Sequence, residues 1–436
     1  MWTSKPLPSS WFGSGCNDGR VDRSGALGTV SGMVSSAAPR PGRALAAALS
    51  DPAFYAGDPH PTFTRLRREA PMAWNEEVGF WAVTRHADVL AISKDAATFC
   101  SGQGILLRDI GQQLPEQPGA LLYVDPPEHS RYRGLVQPAF APSRIRALEG
   151  PIRARFRALI DAMPMGREVD VVADLAVPFP LLVIADLLGV PEADWPRFQR
   201  WTDALIALAT VETEENIAIA TEMALYFLDV IAERRARPLD DLVSLLATVE
   251  IDGDRLDDGE LMMFCGQLLV AGNETTRNLV SGGLVALAEQ PGAWSDLVRH
   301  PDIIPTAVEE LLRWTTPVTA FCRTATVDTV VGGHPVAAGE ALQLLYAAAN
   351  RDDDVFGDTA HTLDLRRSPN PQLAFGFGTH FCIGAALARM EGRIVLEELL
   401  ARVDRFEVTG SVERLASTVI SGSTKAPMVM HAHHSS

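Results

Sequence analysis

Phe375-Gly376-Phe377-Gly378-Thr379-His380-Phe381-Cys382-Ile383-Gly384 is the stretch that decides this chain, and it runs directly into the helix-forming Ala385-Ala386-Leu387-Ala388-Arg389. One thiol is held in a glycine-rich loop where a helix begins. The first amide N–H groups of a helix lack partners and carry partial positive charge, an arrangement that favours a thiolate over an inert buried cysteine. Gly376 and Gly378 leave room for close backbone approach, and Gly384 keeps the following turn flat against whatever the sulfur binds. A sulfur that holds a metal while a flat ligand lies across it needs this arrangement.

Phe-Gly-x-Gly-x-His-x-Cys-x-Gly followed by Leu387-Ala388-Arg389 resembles the heme-binding loop of the cytochromes P-450. The resemblance makes Cys382 the axial ligand of heme b, with Phe375, Gly376, His380 and Gly384 around the cofactor, and the thiolate donating electron density that favours O–O cleavage. The fold it implies is mainly α with small β-sheets. The heme would lie between a long oxygen-handling helix and the Cys loop.

A second stretch supports it. Asp257 and Glu260 have capping-box spacing at the start of a long helical pattern, and well inside it stands Ala271-Gly272-Asn273-Glu274-Thr275-Thr276. A glycine inside a helix costs about 1 kcal/mol relative to alanine. Ala271 and Gly272 are therefore expected to open space for a diatomic ligand. Thr275, four residues after Ala271, is placed to bond back to that carbonyl and distort the helix. In the family an acid–alcohol pair delivers protons to bound O2. Carried over, Thr275 positions the donor and Glu274 relays protons from solvent. A peroxide-using heme-thiolate peroxygenase or isomerase, or a non-catalytic heme sensor or carrier, would share Cys382. The Glu274–Thr275 pair favours dioxygen chemistry over both.

Glu310-Leu311-Leu312-Arg313 matches the family's E-x-x-R ion pair, although Glu309 has equally good spacing to Arg313. The Asp-Pro-x-Arg-Phe-Asp usual in relatives reads Asp358-Thr359-Ala360-His361-Thr362-Leu363-Asp364 here, so His361 is the expected substitute for the missing arginine. Heme propionates call for cations, and His129, Arg133, Arg323 and His380 match the family's donors. By analogy the substrate wall is Val270, Ala271, Thr275, Val318, Thr319, Phe321 and Ile420. Ile105, Leu106 and Leu107 join it from the long polar and glycine-rich connection 101–122, whose length suggests function.

The remaining composition sets bounds. The chain has 436 residues, is 47% hydrophobic and 21% charged, and carries a net charge of −17, which argues against nucleic-acid or anionic-membrane surfaces. Its five cysteines include no C-x-x-C pair, which fits a reducing cytoplasm and argues against disulfides, zinc or an iron–sulfur cluster. No stretch has the length of an apolar membrane span, and residues 1–45 lack the basic start and apolar core of a signal peptide. Residues 1–45, rich in Ser, Gly, Ala and Pro, read as a disordered extension in which Met33 offers an alternative start. Residues 46–436 read as one heme-thiolate domain.

Paired strands are expected at Met72 to Trp74 and Gly79 to Thr84, and helices at Ala147–Met163, Pro196–Ala209, Asn216–Arg237 and Asp257–Gln290. A small strand region is expected at Ala325–Leu345, and His431, His433 and His434 read as a solvated tail. There is no G-x-G-x-x-G fingerprint in a strand–helix setting, so electrons must come from elsewhere. The resemblance implies a cytoplasmic monomer served by a ferredoxin and an NAD(P)H-dependent reductase, with Arg366, Arg367, Arg389 and Arg393 as a basic docking face. Residues 271–278 and Pro369-Asn370-Pro371 resemble actinobacterial members acting on sterols, terpenoids or branched lipids, with a polyketide or other secondary metabolite as the open alternative.

Overall fold

The computed structural model describes residues 40–208 and 213–433. Met33, Cys16, Ala209 and His434 lie outside them, as does the extension up to residue 39. Residues 40–45, read as part of that extension, belong to the folded body. Arg40 pairs with Glu340 and stacks 3.6 Å over the Trp74 ring, and Trp74 N donates to Pro41 O at 2.9 Å.

The organising element is the helix Asp258–Glu289, called here the central helix. Its start is fixed as the spacing predicts: Glu260 N donates to Asp257 Oδ1 (2.7 Å) and Asp257 N to Glu260 Oε2 (2.9 Å). Arg131 and the Tyr132 hydroxyl then hold Glu260 at 2.7 and 3.0 Å, tying the cap to the helix Glu128–Val136. Apolar residues occur on almost every face of the central helix. It therefore runs through the main core, with Leu261, Leu269 and Leu287 fully buried. Helices Pro178–Leu188, Glu214–Ala236 and Ile304–Thr315 pack on it, as does Ala385–Leu400, the Cys helix.

A five-stranded sheet flanks this body, in the order Met72–Asn75, Phe80–Val83, Ala341–Leu345, Ala320–Ala325, Phe99–Cys100. Met72 faces Val83 in an antiparallel pair, Phe80 faces Ala341 in a parallel one, and Arg323 faces Leu342. The second strand region thus begins at Ala320, five residues before the expected Ala325, because its first residues pair with Leu345 and Leu344. The expected helix at Ala147 begins at Pro142, proline being well suited to a first turn. His431 does not belong to a solvated tail, and exposed His433 directly follows its strand. Pro427–Ala432 is a strand registered on Val403–Val408, with His431 facing Arg405.

Candidate functional site

The Cys loop is a sequence of tight turns: Gly376 N donates to Leu373 O, Cys382 N to Phe375 O and Phe381 N to Gly378 O, all within 2.9–3.0 Å. Gly378 is required twice over. Its φ is +70°, and a Cβ there would lie 2.0 Å from Ser93 O. At Gly384, the N-cap of the Cys helix, a Cβ would lie 3.9 Å from Cys382 Sγ and cover the sulfur. Cys382 is the one cysteine among the described residues that lines the large cavity; Cys100, Cys265 and Cys322 are buried elsewhere.

Burial pushes the Cys382 thiol up, outweighing the Gly384 amide and the Arg133 and Arg389 guanidiniums that pull it down. The sequence argument expected the helix terminus to win. Cys382 instead sits two residues ahead of the N-cap, and desolvation is the larger effect.

The cavity measures about 2120 Å³ and reaches from Cys382 to the middle of the central helix. Thr275 Oγ1 donates to Ala271 O at 2.6 Å, as its spacing implies, yet the helix continues unbroken through this turn. Gly272 lines the cavity, and a Cβ there would lie 2.5 Å from Ile184 Cδ1, so its smallness also admits the helix Pro178–Leu188. Glu274 is buried, receives Arg277 Nη1 at 3.1 Å and Asn278 Nδ2 at 3.4 Å, and is pushed up by burial.

Of the expected wall, Val270, Ala271, Thr275, Val318, Phe321, Ile420, Ile105, Leu106 and Leu107 line the cavity. Thr319 does not. Its N–H donates to Val419 O at 2.7 Å and its carbonyl accepts from Ala347, which turns it into the protein.

At one edge of the cavity stand His129, Arg133, Arg323 and His380. Arg133 donates to Phe381 O (2.6 Å) and Arg323 to Cys322 O (2.7 Å), and neither meets a carboxylate among the described residues. The two imidazoles lie 4.4 Å apart, centroid to centroid. Burial first, then the nearby arginines, pull His129 down to about 4 and His380 down to about 3. The expected set of four cations is therefore two guanidiniums and two neutral imidazoles.

The ion pair is resolved in favour of Glu310. Arg313 Nε and Nη2 donate to it at 2.8 and 2.7 Å, and both side chains are fully buried. Glu309 instead takes Arg389 at 2.5 and 3.0 Å. The third member is Arg367, with Nε 3.0 Å from Glu310 Oε2, not His361, which reaches Asp353 at 3.2 Å. Arg367 lies six residues beyond His361 in sequence, and only folding shows which side chain reaches Glu310. Asn350 accepts Leu373 N at 2.7 Å, so this knot fixes the segment that enters the Cys loop.

The same contacts dissolve the basic docking face. Arg367 is buried, Arg366 is paired with Asp296, Arg389 with Glu309, and Arg393 with Glu149 and Glu397.

Comparison with known proteins agrees with this geometry. A sequence model described as Cytochrome P450 matches residues 293–414. Linalool 8-monooxygenase of Pseudomonas putida is 38% identical over 396 residues, covering 86% of this chain and 96% of that one. The chain belongs to the cytochrome P450 family. The methyl-branched lipid omega-hydroxylase of Mycobacterium tuberculosis is 37% identical, covering 84% of this chain and 90% of its own. Among solved P450 structures, CYP108D1 from Novosphingobium aromaticivorans superposes with a TM-score of 0.81 at 33% identity, over 91% of this chain and 100% of that one. CYP109E1 from Bacillus megaterium, in complex with testosterone, gives 0.77 at 32%, over 86% and 99%.

This P450 is a monooxygenase, and its family implies heme. The residues fit that group. His129 Nε2 is buried with no partner among the described residues, Arg133 and Arg323 lack counter-charges among them, and Cys382 lines the same cavity. Among the described residues no helix is long and apolar enough to cross a membrane.

Two functional candidates escaped the sequence reading. Glu391, on the Cys helix, lines the cavity, accepts Thr276 Oγ1 at 3.0 Å, and is pushed by burial up to about 8. Gln267 lines the cavity on the central helix. Neither belongs to a motif. Apolar neighbours at helical spacing were the only available signal.

Proposed function

We propose that this P450 hydroxylates an apolar terpenoid, steroid or branched lipid, using O2 and electrons passed from NAD(P)H through a reductase and a ferredoxin. The observation that carries the reading is one continuous, mostly apolar cavity with Cys382 at one end and Thr275 and Glu274 in its wall. The names of two relatives, a linalool 8-monooxygenase and a methyl-branched lipid omega-hydroxylase, point the same way.

Cys382 would hold the heme iron, and Arg133, Arg323, His129 and His380 its propionates. The bound cofactor supplies oxygen activation and insertion into a C–H bond. The chain's own residues supply the rest. The apolar walls exclude water and orient the carbon to be attacked. Thr275, held to the Ala271 carbonyl, presents its hydroxyl to the cavity. Glu274, kept protonated more readily by burial, stores a proton at its carboxyl and takes another from solvent past Arg277. Residues 46–436 form the heme-thiolate domain, with its N-terminal edge extended to Arg40 by the contacts above.

For the ferredoxin, Lys94 is a cation beside the Cys loop, its ammonium 5.2 Å from the centroid of the Phe377 ring, which is 42% exposed. Lys94→Glu should slow ferredoxin-supported turnover and weaken its salt dependence; unchanged values would remove this docking point.

The first test is the CO difference spectrum of the reduced protein beside Cys382→Ala. A strongly red-shifted Soret band lost in the variant supports the reading, and a histidine-type band insensitive to the substitution refutes it. Thr275→Ala and Glu274→Gln should each lower product formed per NAD(P)H and cut the rate by about 100-fold. Efficient peroxide-driven turnover without a reductase would favour the peroxygenase instead.

A further inference from the structure

Between Glu260 and Asn273 the central helix carries only one side chain with strong hydrogen-bonding groups, Gln267. It lines the cavity among Met263, Val270, Ala271 and Met223, all apolar. Its carboxamide makes no hydrogen bond to a described side chain or backbone group. Neither amide atom is sealed inside the protein, and the residue lines the cavity. An amide in an apolar wall forfeits hydrophobic contact and is matched only by a partner from within the cavity. The helical rise of about 1.5 Å per residue puts Gln267 roughly 12 Å from Thr275 along the helix.

We propose that Gln267 is the polar anchor of the substrate, which is an apolar molecule bearing one hydroxyl or carbonyl about 12 Å from the carbon presented beside Thr275. This rests on the monooxygenase reading above and narrows its substrate class. A hydroxyl donates to the amide oxygen, and a carbonyl accepts from the amide nitrogen, so both oxygen functions are served and a plain hydrocarbon is not. Gln267 is a specificity residue with no part in proton delivery.

The test is a coupling measurement on the heme-loaded protein, with dodecanol and dodecane as probes and dissociation constants from calorimetry and the ligand-induced Soret shift. Gln267→Met keeps the length of the side chain and removes the amide. The dodecane-to-dodecanol ratio of dissociation constants should fall about tenfold from wild type to Gln267→Met, while dodecane binds the variant equally well or better. An unchanged ratio overturns the proposal, as does failure of both probes to bind a protein that shows the thiolate CO band. Loss of that band in wild type would instead overturn the monooxygenase reading, and this proposal with it.

Discussion

Two arginine-rich regions of this molecule stand on either side of the Cys loop's function and differ in one respect. Around Glu310 every charge is matched, and among the buried polar atoms of this cluster Asn370 Oδ1 is left without a partner among the described residues. Arg313 and Arg367 converge on a single carboxylate, and Arg313 also bonds the carbonyls of Asn350, Ala360 and Thr362 at 2.8–3.0 Å. Asn370 and the Asp364 amide complete it at 3.1 and 2.8 Å. At the cavity edge Arg133 and Arg323 have no carboxylate, and His129 Nε2 has no partner among the described residues. Saturated charge holds the fold together. Unsaturated charge is ready for an anionic ligand.

The largest effect should come from breaking the saturated side. Glu310→Ala strands two buried guanidiniums and should cost about 3–5 kcal/mol in chemical denaturation, enough to prevent heme retention. A milder loss would mean the knot is not what positions the Cys loop. On the unsaturated side, Arg323→Leu should leave heme-free stability unchanged or higher, because it removes an uncompensated charge, yet weaken heme binding by roughly 10- to 100-fold. Transfer of heme to a competing apoprotein measures this. Equal damage to stability and to heme binding would erase the distinction between the regions.

Glu391 sharpens the comparison as a buried carboxyl with no guanidinium partner. Its folded pKa, about 8, lies above the unfolded carboxyl range. The folded state therefore binds the proton more tightly, and stability falls as pH rises through the interval between them. The slope is about 1.4 kcal/mol per pH unit, levelling off above the folded value. Glu391→Gln should flatten that slope in urea titrations at a series of pH values. An unaltered slope would show the carboxyl to be ionised already. The smallest effects belong to the residues the tertiary contacts set aside. Glu309→Ala and His361→Ala should each cost less than about 1 kcal/mol, because their pairs are partly exposed. A loss for His361→Ala comparable to that for Arg367→Ala would restore His361 to the network.

Local patterns were read correctly wherever the chain's own neighbours decide the outcome. The capping box at Asp257–Glu260, the Thr275-to-Ala271 bond and the Met72–Val83 hairpin all form between residues close in sequence, where spacing and geometry are the same question. The failures share a different cause. Arg367 in place of His361, and Thr319 turned away from the cavity, are choices made by partners far away in sequence.

The sequence by itself determined the family and the fold class, because a motif such as the Cys loop compresses backbone strain, thiol chemistry and helix initiation into contiguous residues. Of the wall residues it named, all but Thr319 line the cavity. Tertiary structure alone decided which charges are spent and which are free: that four candidate docking arginines are paired or buried, and that burial pulls the two imidazoles at the cavity edge below their ordinary range. It also found at Gln267, in an apolar wall, an amide without a partner among the described residues. The physical reason is that desolvation and Coulomb interactions depend on distance in space, and the order of residues along a chain does not encode that distance.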